Sequence, residues 1–161
     1  MQNFDISENV VVFLDKISSR DLRVILFVQL NATSNYISVI DEEAFLRQSK
    51  LETVDLSKNS LRNIETKNLI CNPSLEILSL SSNQDLRLSE DCPFLYSQSL
   101  RLLKLSDRVH SYLPPEAFRN LPVLQEIYIL HNKFEVLNSV RRVWKFNVVI
   151  CKSYLTDGFT V

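Results

Sequence analysis

Glycine is nearly missing: Gly158 is the one glycine in 161 residues. A loop that cradles phosphate needs several glycines so that the backbone can approach the ligand. Their absence argues against nucleotide chemistry and against tight two-residue hairpins. Charge of one sign is missing too. Eighteen Lys and Arg oppose nineteen Asp and Glu, for a net charge of −1 and a pI of about 6.1. That balance offers no electrostatic grip on nucleic acid or on an acidic membrane surface. Long apolar runs are also absent. "VVVFL" at 10–14 and "VILFVQL" at 24–30 are too short to span a bilayer. Residues 1–30 carry acids early and lack a basic start, so they do not read as a signal peptide. The two histidines and three cysteines leave little material for a metal centre.

What remains is an ordinary globular composition, 45% hydrophobic and 23% charged, on a length suited to one domain. The leucines are spaced oddly for it. In "LETVDLSKNSL" (51–61) the apolar residues are Leu51, Val54, Leu56 and Leu61. Their gaps of 3, 2 and 5 fit neither a helix nor a long two-faced strand. The stretch recurs as "FVQLNATSN" from 27, "LEILSLSSN" from 75, "LRLLKLSDR" from 100 and "LQEIYILHN" from 124. The register holds downstream, where Ile40, Ile64, Leu88, Leu113 and Leu137 share one column. Phe45, Leu69, Phe94, Phe118 and Val143 share another.

The pattern L-x-x-L-x-L-x-x-N-x-L resembles a leucine-rich repeat, and "LRLLKLSDRVHSYLPPEAFRNLPVLQEIYILHNKFEVL" (100–137) resembles the "typical" 24-residue class of extracellular animal proteins. Toll-like receptor ectodomains and insect immune leucine-rich proteins are the analogues. The resemblance implies an α/β solenoid, a leucine-rich-repeat horseshoe with a parallel β-sheet on its concave face. It gives about seven turns, in a single domain over 1–161 with repeats starting near 1, 27, 51, 75, 100, 124 and 146. Physically, one turn cannot bury its own apolar face, so neighbours stack into a continuous core. Asn35, Asn59, Asn83 and Asn132 form a column whose side chains satisfy buried backbone groups of adjacent turns, and Arg108 interrupts it.

The ends are irregular. Met1 opens inside the repeat frame, with Phe4, Ile6, Asn9, Val11 and Leu14 at the expected offsets. Block 146–155 follows after only 22 residues and has Tyr154 in place of asparagine, with Phe146, Val149 and Cys151 in inward positions. Neither end carries the cysteine-rich cap usual for the class. Three expectations stay open: a piece of a longer array, a small protein whose end turns act as caps, or a homodimer that buries its ends.

Candidate sites follow from the frame. Outward strand positions are polar in the first half of the chain. In the second they gather Ile77, Leu102, Tyr128, Leu130, Val148 and Ile150 around Lys104. A contiguous outward apolar patch with a tyrosine is a candidate surface for a protein ligand or co-receptor. Two readings compete with it: cover by loops or a downstream segment, and scattered apolar residues without a role. "NAT" at 31–33 is a glycosylation sequon that puts Asn31 on an outward position. Cys71 and Cys92 lie on neighbouring turns, either bridged or as two partly buried free thiols. Cys151 reads as a small core residue. His110 and His131 read as structural or surface residues rather than a metal pair, and "DEE" (41–43) as a solvated edge.

No nucleophile-and-base motif appears, so the chain is expected to be no enzyme, with no cofactor and no metal. The C-terminal "FTV" fits only the loosest strand-addition pattern. The function expected is protein binding in an extracellular receptor or secreted immune-type protein, or in the ectodomain of a membrane receptor. The alternatives are spacer repeats of a longer array and an intracellular adaptor.

Overall fold

The computed structural model describes residues 3–8, 13–14, 28–41, 44–45, 48–64, 69, 72–88, 94–107, 115–132 and 147–149. Seven strands form one parallel sheet: β1 (Asn3–Asp5), β3 (Gln29–Asn31), β5 (Thr53–Asp55), β6 (Ile77–Ser79), β7 (Leu102–Lys104), β8 (Glu126–Tyr128) and β9 (Asn147–Val149), in that spatial order. A smaller parallel pair, β2 (Phe13–Leu14) with β4 (Val39–Ile40), lies apart from it. The one helical segment among the described residues is a 3-10 turn at Pro115–Phe118. Each strand of the main sheet pairs with the next one along the chain or with the next but one, as in a solenoid. From β3 to β8 the register repeats every 24 or 25 residues, through Gln29, Thr53, Ile77, Leu102 and Glu126.

The irregular leucine spacing has a direct cause. The middle residue of each strand points into the coil: Leu30, Val54, Leu78, Leu103 and Ile127 are all buried. Two residues on, Ala32, Leu56, Leu80, Leu105 and Ile129 are buried too, as strand alternation requires. The chain then turns away, and Leu61 and Leu86 re-enter the core. Phe45, Leu69, Phe94 and Phe118 close the core from the opposite side. Each fully buried leucine contributes up to about 2 kcal/mol of transfer free energy. A strand at the edge of the stack lacks one neighbour. Phe4 in β1 is accordingly 37% exposed, whereas Leu30, paired with it, is 2% exposed.

The turn out of each strand uses a left-handed backbone. Glu8, Ser34, Lys58, Ser82, Asp107 and His131 have φ between 52° and 58°. All six occupy the same position in the repeat. A residue with a Cβ pays about 1–2 kcal/mol there, and glycine would be the unstrained choice. The fold therefore meets its repeated need for positive φ without glycine, at a cost that the residue after Ser34, Lys58, Ser82 and His131 offsets.

That next residue is the ladder asparagine. The Asn59 side-chain amide donates to Ala32 O at 2.9 Å and Leu56 O at 3.0 Å, and its Oδ1 accepts the Ile37 N–H at 2.9 Å. Asn83 repeats the arrangement, donating to Leu56 O and Leu80 O while accepting from Leu61 N. Asn35 donates to Ile6 O and Ala32 O, and Asn132 to Leu105 O. Each amide therefore ties its own coil to the preceding one, and those of Asn59 and Asn83 satisfy buried carbonyls. Asp107 keeps the left-handed turn even though Arg108 follows it where the asparagine would be.

A second column of buried polar residues, Gln48, Asn72 and Ser97, runs on the side where the chain enters the strands, and there Asn72 and Ser99 bond to the preceding coil. The Asn72 amide donates to Phe45 O and Gln48 O, both at 3.0 Å. The Ser97 hydroxyl accepts from Leu100 N at 3.2 Å. In the same position of the next coil stands the buried Leu121, where the polar column ends. Among the described residues, Asn72 Oδ1 is the buried side-chain atom left without a partner.

Replacing Asn59 by alanine leaves the buried Ile37 N–H unpaired, worth about 1–3 kcal/mol, and takes from Ala32 O and Leu56 O one of the two side-chain donors each of them has, at about 1 kcal/mol a bond. With partial relaxation, Asn59→Ala is expected to cost about 3 kcal/mol in urea unfolding. Ser60→Ala, at the exposed next position, serves as the control. A cost for Asn59→Ala no larger than the control's contradicts the ladder's role.

Candidate functional site

The outward face of the sheet is built from the two residues flanking each buried strand centre. One column runs Asn3, Gln29, Thr53, Ile77, Leu102, Glu126 and Asn147. The other runs Asp5, Asn31, Asp55, Ser79, Lys104, Tyr128 and Val149. Neighbours within a column stand about 4.8 Å apart. Ile77 and Leu102 are therefore adjacent and half-buried, and Lys104, exposed, lies beside the half-buried Tyr128. Leu130, past the end of β8, is also half-buried, and its N–H donates to the Ser106 hydroxyl at 3.1 Å. The exposed large apolar residues among those described lie elsewhere: Phe4, Tyr36, Val39 and Val123.

One expected member of the patch shifts. Block 146–155, aligned by its leucine-like positions, puts Val148 level with Glu126. The sheet pairs Asn147 with Glu126, Val148 with Ile127 and Val149 with Tyr128. Val148 therefore occupies the register position of the buried strand centres, and Val149 continues the outward column. A slip of one residue exchanges the two faces of a strand. Here Tyr154 stands where Asn35, Asn59, Asn83 and Asn132 mark the register, and the block also follows after a shortened step, so its register was not pinned. Ile150, Cys71, Cys92, Cys151 and His110 lie outside the described residues.

The two halves of the face differ in their bonding. In the first half, a D/N-x-S/T triplet recurs at the end of each strand. Asp5 Oδ1 accepts the Ser7 N–H at 2.8 Å, Asn31 Oδ1 that of Thr33 at 3.2 Å, and Asp55 Oδ1 that of Ser57 at 2.9 Å. These are Asx turns. The sequon at 31–33 is one member of this structural series, and its Asn31 side chain is half-buried. In the second half, serines bond between coils. Ser57 Oγ and Ser79 Oγ are 2.6 Å apart, and the Ser81 hydroxyl accepts the Ser106 N–H at 3.1 Å. These bonds explain why Ser79 and Ser106, outward by the repeat frame, are buried.

Two groups on the face have displaced titrations. The Ser7 backbone N–H, followed by the Ser7 hydroxyl, holds the Asp5 carboxyl below its ordinary value of 3.8. Asp5 therefore contributes stability above that value and loses it as the pH falls through the lower, folded one. The Glu126 charge raises the Tyr128 phenol above its ordinary value of 10.0. The phenol's hydrogen bond to Glu126 Oε2, at 3.2 Å, acts in the same direction.

Below the face, along the left-handed turns, the Ser82 hydroxyl donates to Asp107 Oδ2 at 3.3 Å, and Asp107 Oδ1 lies 2.9 Å from His131 Nδ1. The trio combines residue types used in nucleophilic catalysis in the wrong order. The serine meets the carboxylate, so the imidazole is not placed to take its proton. Among the described residues, no group of three His, Cys, Asp or Glu could hold a metal ion, and no helix is long and apolar enough to cross a membrane.

The comparisons with known proteins point to leucine-rich repeats. Residues 28–84 match the Leucine rich repeat family. The chain is 30% identical over 135 residues to human oligodendrocyte-myelin glycoprotein, covering 83% of this chain and 28% of that protein. It is 33% identical over 108 residues to bovine opticin, covering 67% of this chain and 33% of that one. The chain thus spans about a third or less of the length of these curated relatives. Among solved structures, internalin C2 of Listeria monocytogenes aligns over 78% of this chain and 71% of its own, at 17% identity and a TM-score of 0.33. The matches support a leucine-rich repeat protein and single out no class within it.

The Tyr128 phenol gives a direct check on the face. Glu126→Gln removes the neighbouring charge, so the phenol should ionise at a lower pH, nearer 10.0. Phenolate absorbance followed through an alkaline titration reads the shift. An unchanged titration would show that the two side chains do not meet in solution.

Proposed function

We propose that the chain is a protein-binding leucine-rich repeat module, one coil per strand and seven in all, curved with its sheet on the concave side. It binds through the second half of that face, with Ile77, Leu102, Lys104, Tyr128 and Leu130 as the contact residues. The observation that carries this reading is the pairing of Ile77 with Leu102 beside Lys104 and Tyr128. A solvated sheet face needs no apolar side chains, and aromatic and cationic anchors beside an apolar pair are the residues that dominate protein interfaces. Recognition by shape and surface complementarity, with no chemistry, fits a scaffold of this kind. The further reading is an extracellular recognition receptor or secreted immune-type protein of the typical, Toll-like class. It rests on the length of the repeat and on the Asn31 sequon.

The competing reading makes these coils spacers in a longer array, with the face unused. One experiment separates the two. The protein is expressed through its native gene in its own cells, carrying a photo-crosslinking residue at Tyr128 or, as a control, at Arg119 on the connecting segment. Mass spectrometry then reads adducts and the occupancy of Asn31 together. The binding reading expects a protein adduct specific to Tyr128, lost on adding Leu102→Ala, and a glycan on Asn31. Truncating both anchors should weaken the captured complex by about tenfold or more. Identical adduct profiles at the two positions favour the spacer. A bare Asn31 in the native protein contradicts the extracellular assignment.

A further inference from the structure

Past the asparagine ladder, where the chain leaves the sheet, an open cleft of about 490 Å³ is lined, among the described residues, by Arg62, Asn63, Asp85 and Arg87. Its floor is anchored in the core. Leu61 and Leu86, immediately before the two arginines, are fully buried. The Asn83 side chain accepts the Leu61 N–H at 3.1 Å, and the Asn83 carbonyl accepts the Leu86 N–H at 3.2 Å. The two coils are joined directly beneath the arginines by Arg87 N–H to Arg62 O at 2.9 Å. The backbone of the cleft is thus held by the same ladder that stacks the coils.

The side chains above it are uncommitted. All four lining residues are exposed, and among the described residues neither guanidinium is in an ion pair, with Asp85 or with any other carboxylate. Two guanidiniums on adjacent coils repel one another, and one oxyanion between them removes that cost while taking charge-assisted hydrogen bonds from both. A bare anion would leave Asp85 facing like charge. Asp85 wants a hydroxyl or amine donor, and Asn63 can serve as donor or acceptor. The ligand that satisfies these four groups carries an oxyanion and neighbouring hydroxyls on one rigid frame. The cleft volume is within the range of small-ligand sites.

We propose that this cleft binds an acidic sugar, with its sulfate or carboxylate between Arg62 and Arg87 and its hydroxyls on Asp85 and Asn63. The site is separate from the outward face of the sheet, so protein binding there and sugar binding here stand or fall independently.

The test is a titration followed by NMR at constant ionic strength, using N-acetylglucosamine 6-sulfate, N-acetylglucosamine and inorganic sulfate. The sulfated sugar should bind at least about tenfold more tightly than either of the others. The Arg62→Gln, Arg87→Gln double variant should lose at least about tenfold of that affinity, and Lys104→Gln, on the sheet face, should change it by less than about twofold. Asp85→Ala is the decisive arm, because general attraction and a built site predict opposite signs. Removing a negative charge strengthens simple anion attraction, whereas loss of the hydroxyl acceptor weakens sugar binding, here by at least about threefold. These exposed substitutions should leave the unfolding midpoint unchanged, which keeps folding out of the comparison. Equal binding of sulfate and sulfated sugar, or tighter binding by Asp85→Ala, overturns the proposal. A sulfated disaccharide that binds more tightly than the monosaccharide assigns the site to a polymer chain, and equal binding assigns it to a terminal residue.

Discussion

Each coil leaves the sheet by a left-handed turn that aims backbone carbonyls into the stack, where no water reaches them. The asparagine amide that follows the turn answers this constraint by donating to a carbonyl of its own coil and to one of the coil before. The leucines supply most of the burial free energy, but burial is non-directional and would tolerate coils sliding against one another. The asparagines fix the spacing. They also offset the backbone strain at Ser34, Lys58, Ser82 and His131, which would otherwise cost about 1–2 kcal/mol each for no return.

Much of this was legible in the residues themselves. The column of asparagines and the gaps of 3, 2 and 5 between apolar residues located the strands of β3, β5, β6, β7 and β8, because leucine size and asparagine bonding leave few alternatives at those positions. A missing marker alone did not lose the register, since the block of β7 has Arg108 there and its leucines still kept the step; the last block lost both the marker and the step. Block 146–155 has Tyr154 at the ladder position and follows after a short step, and Val148 was assigned one residue out of register. The second polar column escaped notice because its members, Gln48, Asn72 and Ser97, share a buried position but no residue type. The left-handed column escaped for a similar reason. Glutamate, serine, lysine, aspartate and histidine have in common only the backbone they were given.

Of the candidate sites, the sheet face was readable in outline. Ile77, Leu102, Lys104, Tyr128 and Leu130 fall on it as the repeat frame requires. The frame could not show how far strand neighbours about 4.8 Å apart shade one another, so the apolar members are half-buried instead of fully exposed. It also could not show that the Asn31 sequon belongs to a series of Asx turns with Asp5 and Asp55. That series gives the triplet a structural reason that holds with or without a sugar attached. The cleft at Arg62 and Arg87 had no sequence signal at all, because its residues come together only when coils stack.

The account depends on the ladder bonds persisting in solution, and native-state hydrogen exchange reads them one amide at a time. The Ile37 and Leu61 N–H groups donate to the side chains of Asn59 and Asn83. Both lie outside the main sheet, so no strand pairing there protects them. They should exchange as slowly as the strand-centre amides of Val54 and Leu78, opening only with global unfolding. If Ile37 and Leu61 exchange at the rate of exposed loop amides while Val54 and Leu78 remain protected, the asparagines do not hold the coils together and the central claim fails.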